Sequence, residues 1–192
     1  MKTIILGFAI VAAISTACNN DGNQSTETAT SSDSTSSNTP ATNAELKTAL
    51  ATEVVTNYLQ LKNALANDNP KDAAIAGKAV SEAIQKIDAA SLTAEQKTVF
   101  DDVKNEIKEH GEHVSSNGDK IAHQREHFDM LSNDIYDLVK SFGSEQTLYL
   151  DHCPMYNDNK GANWLSEVKE IRNPYLGKKM PTCGTVKEEI IK

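Results

Sequence analysis

Two sulfur-bearing pairs stand near the C-terminal end of the chain. Cys153 lies two residues before Met155, and Met180 lies three residues before Cys183. Two thiolates and two thioethers form a soft ligand set, suited to monovalent copper far better than to calcium, magnesium or manganese. Zinc accepts thiolate and imidazole but seldom thioether, so the methionines tilt the choice towards copper or silver, with zinc a further candidate. Pro154 excludes helix at His152 and Cys153 and biases Cys153 towards an extended conformation. In extended chain, residues two apart face the same side, so Cys153 and Met155 would present both sulfurs to one face and His152 to the other. Pro181 suits the second position of a turn that brings Met180 and Cys183 within about 7 Å of each other. The same cysteines also suit a disulfide in an exported domain, closing a loop of about 30 residues worth roughly 3–4 kcal/mol. Methionine is itself a common core filler. Ligand set and Cys153–Cys183 disulfide therefore stand as alternatives.

The five histidines form a second constellation, all of them between residues 110 and 152. His110 and His113 are three apart, His123 and His127 are four apart, and Met130 follows three further on. On helices these spacings put His123, His127 and Met130 on one face. A His pair on each of two facing helices is an arrangement that binds zinc, copper or nickel. The alternative is a set of surface histidines paired to Glu109, Glu112 and Glu126. No C-x-x-C pair, glycine-rich phosphate loop or G-x-S-x-G elbow is present, and adjacent His152 and Cys153 would face apart in extended chain. The expectation is a binding protein, not an enzyme. The net charge of −8 argues against nucleic acid and anionic membrane surfaces, both of which need a basic patch.

The elements that must position these residues begin after a leader. Lys2 precedes an apolar run from Ile4 to Ile14, too short to span a bilayer comfortably, and Ser15-Thr16-Ala17 leads to Cys18. Residues 1–17 read as a signal peptide and Cys18 as a lipid-attachment cysteine of bacterial type. Export and a lipid anchor on the periplasmic side of the outer membrane follow, with membrane contact through the anchor alone. Residues 18–43 carry no aromatic or large aliphatic side chain and read as a disordered tether. From residue 44 the period turns helical. Leu46, Leu50, Val54, Tyr58, Leu61 and Leu65 mark a first helix, and Asn69-Pro70 caps a second with Ile75, Ala79, Ala83, Ile84 and Ile87 on its face. Thr93 and Gln96 form a capping box for a third, and Gly118-Asp119 opens a fourth that Gly143 closes.

The expected fold is all-α: an antiparallel up-down-up-down four-helix bundle over residues 44–192, with an irregular Pro/Gly-rich segment from about 147 packed on it. That segment allows a short extended piece at 147–150 and a short helix near 164–168. Trp164 within it serves as core or as a shield over the metal.

Several motifs resemble one family. They are Tyr58 to Leu65 (YLQLKNAL), Gln124 to Phe128 (QREHF) with Leu131-Ser132, Cys153-Pro154-Met155, Lys160 to Ser166 (KGANWLS), Ile171 to Tyr175 (IRNPY), Gly177 and Met180 to Gly184. The chain is similar to a bacterial domain of unknown function found in exported lipoproteins and at the C-termini of periplasmic adaptor subunits of heavy-metal efflux pumps. The resemblance spans about residues 50–190. It implies copper or related heavy-metal handling, no catalytic activity, and periplasmic adaptor or efflux-pump components as partners. Cys153, Met155, Met180 and Cys183 fall on its C-P-M and M-x-x-C-G positions, and His113 and His123 to His127 on its helical motif.

Overall fold

A computed structural model describes residues 43–192, with side chains from residue 51. The leader, Cys18 and the tether up to residue 42 lie outside the described residues, and residue 43, the last of the expected tether, opens the first helix. Four long helices follow in order: α1 Asn43–Ala66, α2 Pro70–Ile84, α3 Ala94–Ser116 and α4 Ile121–Phe142. Each boundary has a local cause. Asn69 caps α2 by accepting from the Asp72 amide, ahead of Pro70 at the first helical position. Thr93 and Gln96 form the reciprocal capping box of α3. Gly143, at φ 81°, ends α4 in a conformation that a side chain disfavours. Lys120, not Asp119, sits at the N-cap of α4, and no side chain caps it.

The helices run up, down, up and down. Lys86 at the foot of α2 reaches Glu53 near the start of α1, and Arg125 early in α4 donates to the Leu65 carbonyl late in α1. Val54, Tyr58, Leu61, Leu65, Val80, Ile84, Phe100, Ile107, Phe128, Leu131 and Ile135 fill the centre. On α2 the inward face is Ala73, Ala76, Gly77, Val80 and Ile84, so Ile75 points outward and is 70% exposed. The rotation follows from the closest helix contact. A Cβ placed on Gly111 of α3 would lie 2.7 Å from the Gly77 carbonyl oxygen, and one on Gly77 would lie 2.7 Å from Val114 Cγ1. Backbone meets backbone there, which requires both glycines to face each other.

The all-α expectation is corrected beyond residue 147. β1 Leu148–Cys153, β2 Ala162–Ser166 and β3 Thr185–Ile190 form an antiparallel sheet in the order β2-β1-β3. β1 pairs Leu150 with Leu165 and Asp151 with Trp164 on one side, and Leu148 with Ile190 on the other. The short helix expected near Trp164 is strand β2. These strands are too short to show a period, and β2 is buried at four of five positions, which removes the alternation that betrays a strand. The sheet lies against α1 and α4, where Tyr58 Oη accepts the Leu165 amide and bonds to Ser132 Oγ. Trp164 is fully buried, edge-on to Tyr175, and belongs to the core.

Candidate metal centre

The α3–α4 connection is short, so the last turns of α3 face the first turns of α4. His110 and His113 therefore meet His123 and His127. The His113 and His127 rings stack with centroids 4.3 Å apart, and His123 meets His127 edge-on at 4.7 Å. One ligand nitrogen from each of His113, His123 and His127 falls within 4.8 Å of the others. That spread is one an ion bound at about 2.0–2.1 Å from each nitrogen can draw together. His110 lies beneath them, nearly buried, with its Nδ1 3.2 Å from His127 Nδ1.

The surroundings favour the neutral form of two of the rings. His127 is pushed down to about 4 by burial, then by His113, His123 and His110 beside it. Burial likewise lowers His110, against the pull of Glu106 and Glu109. His127 is thus neutral at pH 7, with a lone pair to give. His123 Nδ1 stands 2.9 Å from Glu126 Oε2, and His113 Nε2 stands 3.7 Å from Glu109 Oε1. Glu112 pairs with Lys108 instead of a histidine. A carboxylate on the far nitrogen of a ligating imidazole fixes its orientation and raises its basicity, so surface pairing and metal binding are compatible here. His113 and His123 keep 46% and 40% of their side chains exposed, leaving the site open to solvent.

The C-terminal sulfur residues take a different arrangement. Cys153 ends β1, fully buried, and its sulfur lies 2.6 Å from that of half-buried Cys183. Both cysteines are free thiols here, and the juxtaposition of their sulfurs serves the disulfide and the soft-metal ligand set alike. Burial, then Cys153, pushes the Cys183 thiol up to about 11. Met180 and Cys183 do bracket a turn, with the Cys183 amide donating to the Met180 carbonyl at 3.2 Å. Buried Asn173 holds that turn, donating to the Cys183 carbonyl while its Oδ1 accepts from the Tyr175 and Leu176 amides. The extended geometry expected through Met155 does not form. Met155 adopts φ −95° and ψ −13°, leaves the strand, and exposes half its side chain. His152 bonds through Nδ1 to Asn163 Oδ1 across β1 and β2 and is not among the converging nitrogens.

Residues 54–147 match the family model described as Protein of unknown function (DUF3347). The DUF3347 match covers most of α1, all of α2, α3 and α4, and the four helical histidines. It stops before β1 and the two cysteines. No curated protein and no solved structure matches the chain.

Two features of the interior have no counterpart in the sequence reading. Lys62 is fully buried, donating to Glu167 Oε2 at 2.7 Å and to Ser166 Oγ at 3.3 Å. Asp151 is also fully buried, and neither carboxylate oxygen has a hydrogen-bond partner among the described residues. Lys62 reads as a surface position in a helical pattern, and only its place between Leu61 and Leu65 hints otherwise. The register shift that leaves Lys187 of β3 unpaired opposite Leu150 and Asp151 has no signature in the residues themselves.

Proposed function

We propose that this domain binds a transition-metal ion through His113, His123 and His127 at the open end of the α3–α4 hairpin. The observation that carries the reading is the convergence of three ligand nitrogens within 4.8 Å. An all-imidazole set suits copper, zinc and nickel, and among divalent ions copper binds such ligands most tightly. The ion favoured by these residues is therefore divalent copper, where the sulfur set alone had pointed to the monovalent form. An ion held at a solvent-open surface by three residues exchanges more readily than one enclosed by four. That suits buffering and hand-over, in keeping with an exported, lipid-anchored protein serving an efflux system. The Cys153–Cys183 pair fits a staple that fixes the end of β1 to the approach of β3.

Elemental analysis and titration calorimetry with copper(II) and zinc(II) test the reading. The wild-type protein takes up one ion per chain, His127→Ala and His123→Ala lose it, and the double variant Cys153→Ser/Cys183→Ser keeps it. Copper retained by the histidine variants and lost from the cysteine variant would move the site to the C-terminal sulfurs. A stapled module that docks an adaptor without metal predicts no uptake in any of them.

A further inference from the structure

The three converging nitrogens exclude the most buried histidine of the four. His110 Nδ1 lies 3.2 Å from His127 Nδ1, so one of these nitrogens carries a proton and the other accepts it. Both Nδ1 atoms are taken by that bond. His127 is left with Nε2 as its free nitrogen. His110 is left with an Nε2 on a ring that is only 9% exposed. If His110 were the donor, His127 would carry its proton on Nε2 and have no lone pair to offer an ion. If His127 donates, its Nε2 lone pair is free. Ligating histidines ordinarily donate their far N–H to such a partner. Glu126 stands in the same relation to His123, 2.9 Å from its Nδ1.

We infer that His110 is a positioning residue: it accepts the Nδ1–H of His127, fixes the tautomer that exposes Nε2, and leaves the ion with three imidazoles and a vacant position for an external ligand. This rests on the metal reading above. The fold supplies the rigidity the role needs. Gly111, the next residue, lies against the Gly77 carbonyl so closely that a Cβ would stand 2.7 Å from it, which holds this turn of α3 against α2. His113, a turn further along α3, lies beyond that contact and stacks on His127. The external ligand is of the single-donor class, a water, a small anion or an imidazole of another protein, and azide is the probe.

The test combines two measurements on the full-length protein. Nitrogen NMR of the metal-free form reads the His127 tautomer without any ion. The Nδ1–H form is expected in wild type and in His110→Gln, whose amide oxygen can accept the same proton, and the Nε2–H form in His110→Leu. Pulsed electron paramagnetic resonance with one equivalent of copper(II) then counts imidazoles. Three are expected in both wild type and His110→Gln, with a spectral shift on adding azide. Copper affinity is expected to fall 10- to 100-fold in His110→Leu and to return to near wild type in His110→Gln. Four imidazoles in wild type and three in His110→Gln would make His110 a ligand and overturn the inference. So would a His127 tautomer in the metal-free wild type with Nδ1 unprotonated. Wild-type protein that takes up no copper overturns the metal reading itself.

Discussion

Asp151 is the residue whose surroundings contradict its chemistry most. Burial pushes its carboxyl up to about 7 from an ordinary 3.8, and the attraction of Lys62 offsets this only in part. The protonated form therefore favours the fold. Its contribution is full below about pH 4 and is lost as pH rises through 7. His127 works in the opposite sense. With its value lowered from 6.5 to about 4, the neutral ring favours the metal-free fold above pH 6.5, and that contribution is lost as pH falls through 4. Asp151→Asn is expected to raise stability at pH 8 by about 1–3 kcal/mol and to leave it nearly unchanged at pH 4. Urea denaturation at the two pH values checks this, and an equal gain at both would refute it. Lys62 makes a second case. Removing it strands half-buried Glu167, so Lys62→Ala should cost about 3–5 kcal/mol in the same assay. The double variant Lys62→Met/Glu167→Gln should recover part of that loss.

Among the elements, the contact of α2 with α3 sets the geometry of the rest. Gly111→Ala places a methyl group against the Gly77 carbonyl and the Ser81 backbone, and so must push the two helices apart. Overpacking of this kind costs about 1–3 kcal/mol. The same variant should also weaken the proposed metal binding through displacement of His110, while Thr93→Ala, at the far end of α3, should cost about 1 kcal/mol and leave that binding alone. Calorimetry of both variants separates the effects. The capping residues of α2 and α3 were legible because each acts within four residues of itself. The inward face of α2 was not. Ile75 appeared a better core residue than Gly77 on hydrophobicity, yet the approach of two backbones selected the glycine. The histidine spacings were legible too, because a helical period places i, i+3 and i+4 together whatever else the fold does.

At the scale of the whole molecule, the sheet was hidden because its partners are remote in sequence. Tyr58 meets Leu165 across 107 positions and Lys62 meets Glu167 across 105. Nothing near residue 164 announces such contacts, so a buried strand passed for a helical turn. The cysteine pair was legible as a pair, and the structure brings the two sulfurs together as either a disulfide or a shared ligand set requires. Oxidised protein is expected to weigh two hydrogens less than reduced protein. Reduction should lower stability by about 3–4 kcal/mol for a loop of this length. Mass spectrometry and denaturation with and without reductant measure the two. Unchanged stability on reduction would remove the staple from the account.

The separations along the chain also set an order of assembly. His110 and His127 lie 17 positions apart on consecutive helices, and Cys153 and Cys183 lie 30 apart beyond them. Local contacts form early and distant ones late. During synthesis, which delivers the N-terminal part first, the ring of imidazoles can close while the strands are still being made. The sheet then settles on a helical hairpin that already has its four histidines together. On the proposed reading, metal capture would then depend on the helical hairpin alone and not on the state of the two thiols.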